Sequence, residues 1–90
     1  MKLLKFTTQW CGPCKMQDKE FKNNPISIPV ANIDIDEDME SAIKYSVASV
    51  PKIVLLDGNN KVVHTWTGFT ESWIINDYIK EYGTEDKMQD

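Results

Sequence analysis

The run Trp10-Cys11-Gly12-Pro13-Cys14-Lys15 decides how this chain is read. It holds both cysteines of the chain, placed where an apolar stretch ends and a helical pattern begins. Two thiols at this spacing close a small disulfide ring, and a helix N-terminus can hold one of them as a thiolate. That combination points to dithiol–disulfide exchange. A free thiol has a pKa of about 8.5 and is mostly protonated at neutral pH. The unpaired N–H groups and partial positive charge of a helix start favour the anion, and Lys15 adds to that field. Cys11, at the turn, is expected to be the exposed and attacking sulfur. Cys14, inside the first helical turn, is expected to be the shielded and resolving one. Gly12 lets the backbone pass close to a partner, and Pro13 sets φ where no N–H is required.

Other uses of two cysteines fail on ligand number. A structural zinc site takes four ligands, against two thiols and a single distant histidine, His64. Covalent haem attachment places His directly after the second cysteine, where Lys15 stands. A static disulfide over so short a loop adds little stability. No metal and no other cofactor is expected.

Working outward, 90 residues make one domain. With 41% hydrophobic and 27% charged residues, the chain has the composition of an ordinary globule rather than a disordered segment. A net charge of -4 argues against a nucleic-acid partner, which needs clustered Lys and Arg. No apolar run approaches the roughly 20 residues that span a membrane. Lys5 interrupts the start, so no signal-peptide pattern is read there. These features place the chain in a reducing cytoplasm, where disulfides are usually transient and catalytic.

Apolar periodicity predicts a strand at 2–8, a helix at 12–22 with Met16 and Phe21 among its apolar positions, and a strand at 28–34. A short helix follows at about 37–46, started by Asp36 and the acidic residues after it. Ile53 to Leu56 reads as a central strand buried on both faces. Asp57-Gly58-Asn59-Asn60 forms a hairpin turn, with Val62 to Trp66 as the return strand. Thr70 caps a last helix carrying Trp73, Ile74, Tyr78 and Ile79, with Gly83 as its stop. The domain is thus 1–83, with a polar tail at 84–90.

The chain resembles thioredoxin and its small thioredoxin-like relatives. The matching residues are Trp10-Cys11-Gly12-Pro13-Cys14-Lys15-Met16, the run Asn32-Ile33-Asp34, Val50-Pro51 before an apolar run, and Gly68 after the hairpin. The resemblance covers about residues 2–81. It implies an α/β minimal thioredoxin fold: a four-stranded mixed sheet with flanking helices, lacking the usual first strand and helix. It also implies a lowered cysteine pKa of about 3.5–7.5, a range that thioredoxins themselves help define. On sequence alone Pro51 is a loop proline opening a strand. The resemblance instead implies a cis proline against the cysteine pair, with Val50 offering backbone hydrogen bonds to a bound peptide. Trp10 borders the partner surface beside the exposed sulfur, and the resemblance adds Thr67, Gly68 and Phe69.

The implied activity is protein-disulfide reduction. Cys11 thiolate attacks a client disulfide, and Cys14 resolves the mixed disulfide. Client protein disulfides and a thioredoxin reductase are the expected partners, the chain is expected to be a monomer, and its role is electron transport in cell redox homeostasis. Two alternatives stand beside it: a glutaredoxin-like reductase coupled to glutathione, and an accessory binding subunit that uses the fold.

The chain departs from the family at Lys5. Six residues before the first cysteine, thioredoxins usually carry a buried Asp that helps the resolving thiol lose its proton, commonly partnered by a Lys on the next strand. Lys5 and Val30 occupy those positions. Lys5 either snorkels to the surface along its methylenes or acts on the thiols, as a cation that lowers a thiol pKa or as a desolvated amine that serves as base. Lys19 stands where a helix-kinking proline is usual, which predicts a straighter helix. His64 reads as a strand residue near the surface without a catalytic role, and Trp66 and Trp73 read as packing in or near the core rather than binding a cofactor. Asp34, Asp36, Glu37 and Asp38 read as a solvated strand end and helix start, because the Gly and closing Glu of a calcium loop are missing.

Overall fold

The computed structural model describes residues 1–82 with their side chains, and the backbone of the last helix on to Gln89. The first strand, β1 (Lys2–Thr7), is buried on both faces from Leu3 to Phe6. That pattern requires neighbours on each side and layers above and below. It pairs in parallel with β2 (Val30–Asp34) and antiparallel with β3 (Lys52–Leu56), which pairs antiparallel with β4 (Val62–Thr67). The sheet order is β2-β1-β3-β4. Helices α1 (Gly12–Asn23), α2 (Met39–Lys44) and α3 (Ser72–Gln89) complete the four-stranded mixed α/β fold that the sequence implies.

Alternation along the two central strands splits the core. On one face Leu3, Ile53 and Leu55 pack with Ile75 and Ile79 of α3, and Phe21 of α1 closes the layer. On the other, Leu4, Phe6, Val54 and Leu56 meet Tyr45, Val47 and Val50, around and after α2. Burying each large side chain of this kind contributes about 1.5–3 kcal/mol. His64 stacks on Tyr78 at 4.5 Å and Trp66 meets the same ring edge-on at 5.6 Å, which fixes β4 to α3.

Several element boundaries differ from the sequence reading. β2 begins at Val30 rather than Ile28, because Pro29 has no N–H for the ladder. Its carbonyl instead accepts from Leu3 N at 2.9 Å. α2 begins at Met39, capped by Asp38, whose Oδ1 accepts from Ser41 N at 3.0 Å. The preceding N–H groups are taken by Asp34: its side chain binds Asp36 N, and its carbonyl binds Glu37 N and Asp38 N. The acidic run is therefore spent on turn and cap formation. α3 begins at Ser72, so Thr70 does not cap it; the first N–H of the helix, Ser72 N, donates to Glu20 Oε2 of α1 at 2.8 Å. The helix also runs on through Gly83, since one glycine weakens a helix by about 1 kcal/mol without obliging it to end. The proposed tail at 84–90 lies outside the residues whose side chains are described. Three apolar positions turn outward: Met16 is exposed because Cys14 and Gln17 take the inner stripe of α1, and Trp73 and Ile74 because Ile75 and Ile79 take that of α3.

Candidate active site

Strand register brings the site together. Phe6 of β1 lies opposite Lys52 of β3, and Lys52 lies opposite Thr67 of β4. The end of β1, the start of β3 and the end of β4 are therefore level at one margin of the sheet. The turn carrying Cys11, the Val50–Pro51 bond and the Thr67-Gly68-Phe69 segment all leave the sheet there.

Cys11 is the N-cap of α1, with an extended backbone, and its sulfur accepts from Cys14 N at 3.0 Å. A sulfur anion in this position receives a helix N–H directly and sits over the positive end of the helix dipole. Gly12 and Pro13 form the exposed first helical residues. Cys11 is half-buried and Cys14 is 1% exposed. The two form a disulfide, with Cα atoms 5.1 Å apart. Val50–Pro51 is a cis peptide bond, and Pro51 is buried. The Val50 carbonyl oxygen lies 3.6 Å from Cys11 Sγ, where a reduced thiol can donate to it. Gly68 has φ of 85°, and its N–H donates to Pro51 O at 2.8 Å, so the third loop is tied to the second. Thr67 and Phe69 are exposed beside it, and Trp10 is 87% exposed.

Lys5 is 3% exposed and does not snorkel. Its ammonium pairs with Asp18 of α1, and it approaches the Phe21 ring at 6.0 Å. Asp18 follows Cys14 by one helical turn, so the two share a face. The aligned partner position, Val30, is level with Leu3 and only lines the open space near Lys5. Here the cation is on the strand and the carboxylate on the helix.

Burial pushes the Lys5 ammonium below its ordinary pKa of 10.5. Over the interval between the lowered and the ordinary value, the unfolded chain holds this proton and the folded chain has released it. Stability contributed at Lys5 therefore rises with pH through that interval and levels off above it. Denaturant unfolding across alkaline pH should show wild type gaining on Lys5→Met. A difference between them that stays flat with pH contradicts this burial effect.

Sequence reading missed two residues of this region. Asp18 carried a signal, since Cys14, Asp18 and Phe21 recur at helical spacing on one face. Gln17 carried none: it is completely buried, and its amide holds both backbone groups of Thr70, donating to Thr70 O and accepting from Thr70 N at 2.8 Å each.

A thioredoxin family model matches residues 1–81 of this sequence. The chain belongs to the thioredoxin family. It is 32% identical over 87 residues to the thioredoxin of Bacillus subtilis, covering 89% of this chain and 80% of that protein. To the thioredoxin of Mycoplasma pneumoniae it is 34% identical over 71 residues, covering 74% and 68%. A solved mutant thioredoxin from Halobacterium salinarum superimposes with a TM-score of 0.80 at 31% identity, over 90% of this chain and 73% of that one. Thioredoxin-2 of the malaria parasite gives a TM-score of 0.76 at 32% identity, over 89% and 81%. With Cys11 and Cys14 at disulfide distance in this family's motif, the chain is a thiol–disulfide oxidoreductase that reduces disulfides.

Proposed function

We propose that this thioredoxin-family chain works as a monomeric general protein-disulfide reductase in a reducing cytoplasm, recharged by a thioredoxin reductase. The observation that carries the reading is the asymmetry of the sulfurs: Cys11 at the helix cap and partly open, Cys14 at 1% exposure. Cys11 thiolate attacks one client sulfur and releases the other as a thiolate. Cys14 then loses its proton and attacks Cys11 Sγ. The client leaves with both sulfurs reduced, and the chain keeps the disulfide, so two electrons have passed to the client. The reductase returns two electrons and restores the dithiol. Reduction of insulin disulfides, coupled in turn to a thioredoxin reductase and to glutathione, tests this. Turnover with the reductase is expected; turnover with glutathione alone points to a glutaredoxin-like cycle, and none with either points to an accessory subunit.

Within this reading the Lys5–Asp18 pair balances the field behind Cys14. Removing one charge exposes the other. Asp18→Asn leaves a lone cation, which favours thiolate, stabilises the dithiol form and makes the couple more oxidising. Lys5→Met leaves a lone carboxylate one turn from Cys14, raises the thiol pKa and makes the couple more reducing. Each shift is expected to be about one pKa unit, equivalent to about 30 mV for a two-electron couple. Thiol titration by pH-dependent alkylation, with redox equilibration against glutathione, measures both. Shifts of the same sign in the two variants, or none in either, refute the balance.

A further inference from the structure

Beside the dithiol margin, the C-terminal half of α1, the loop after β4 and the first turns of α3 surround an open cavity of about 660 Å³. Its chemistry is distinctive. Phe69 and Trp73 line it and remain 41% and 63% exposed, although both are large and apolar. Glu20 and Glu71 line it as well, and among the described residues that form its wall none is a cation.

The groups are held in place before any ligand arrives. Glu71 Oε2 accepts from Trp73 Nε1 at 2.7 Å, so carboxylate and indole are fixed as a unit. Glu20 Oε2 accepts from Ser72 N at 2.8 Å and its Oε1 from Asn24 Nδ2 at 3.3 Å. The Asn76 amide is held at both ends, accepting from Ser27 N at 2.9 Å and donating to Pro25 O at 3.1 Å. Two anchored carboxylates beside exposed aromatic faces match a flat, delocalised cation. A guanidinium stacks on an indole and pairs with carboxylate in the same pose, and it loses less hydration than an ammonium.

Phe69 links the cavity to the dithiol margin. Phe69 follows Gly68, which is bonded to Pro51 O, and Val50 faces Cys11. Glu20 lies nine residues along α1 from Cys11, about 13 Å at the helical rise. An extended peptide covers that distance in about four residues.

We propose that this cavity is a client-recognition site that takes an arginine side chain about four residues from the client cysteine under attack, with Trp73 stacking on the guanidinium and Glu71 pairing with it. The site rests on the reading of Cys11 as the attacking sulfur. It biases the oxidoreductase toward basic clients, which also suits a chain of net charge -4.

Paired disulfide peptides test it: one carries a single Arg, the other Gln at the same place, and the place is walked from two to six residues on either side of the attacked cysteine. The wild-type chain should reduce the best-placed Arg peptide with kcat/KM about fivefold above its Gln partner. Glu71→Gln and Trp73→Ala, both exposed positions checked for folding by circular dichroism, should each bring that ratio close to one. A wild-type ratio of one at every position, or a preference that survives in both variants, overturns the site. Those results leave the reductase reading intact, because both peptides are still reduced. Reduction of neither peptide by the wild type is the separate failure of that reading.

Discussion

Cys14→Ser should turn the chain from a catalyst into a trap. Cys11 stays at the helix cap with its sulfur open to a client, so the first exchange proceeds and a mixed disulfide forms. The sulfur that would release the client is gone, so multiple turnover falls to the uncatalysed rate while the covalent adduct accumulates. Cys11→Ser should abolish adduct and turnover together, since Cys14, at 1% exposure, cannot meet a folded client's disulfide. Non-reducing electrophoresis and intact mass after mixing with an oxidised client read both variants. Adduct formation through Cys14 in the Cys11→Ser chain, with equal alkylation rates at the two thiols, would reverse the assignment.

The largest effect on stability is expected at Gln17. Gln17→Leu keeps the side chain's approximate volume but removes the donor and the acceptor that satisfy Thr70 N and O. Thr70 is 7% exposed, so water does not readily replace them. Leaving a buried polar group unpaired costs about 1–3 kcal/mol, and two such groups give about 3 kcal/mol after partial relaxation. For a domain of this size that lowers Tm by about 15 °C. A thermal melt that moves by under about 3 °C means Thr70 finds other partners and refutes the clamp. Gln17→Leu is also expected to loosen the segment from Gly68 to Ser72, because this amide is what holds it to α1.

Features written in adjacent residues were legible in the sequence. The cysteine spacing, the proline in the first turn and the apolar Ile53–Leu56 run gave the dithiol, its helix and a central strand, and the resemblance supplied the cis Val50–Pro51 bond. Features that depend on distant pairs were not legible. Gln17 meets Thr70 across 53 positions of sequence, and a glutamine on a helix reads as a surface residue until its partner is known. Lys5 drew attention as a departure, yet the helical spacing that sets Asp18 on the Cys14 face did not say that it would meet Lys5 across the strand–helix packing. Thr70 has the side chain of a helix cap, but its backbone is committed to Gln17 and its hydroxyl donates to Gly68 O at 3.1 Å, leaving Glu20 to cap α3 from another helix. Trp73 was misplaced because several apolar residues share that helix, and only packing decides which stripe faces the sheet.

The order β2-β1-β3-β4 has a consequence for how the site behaves in a fluctuating molecule. The cysteine turn hangs from β1 and the Val50–Pro51 loop from β3, the two strands with hydrogen-bonded neighbours on both sides. Local opening begins where backbone bonds face solvent, at the outer strands β2 and β4 and at helix ends. Fraying there can release a loop or admit a client segment without parting Cys11 from the Val50 carbonyl. The reactive geometry is thus suspended from the two inner strands of the sheet, while the Thr67-Gly68-Phe69 segment beside it hangs from the border strand β4.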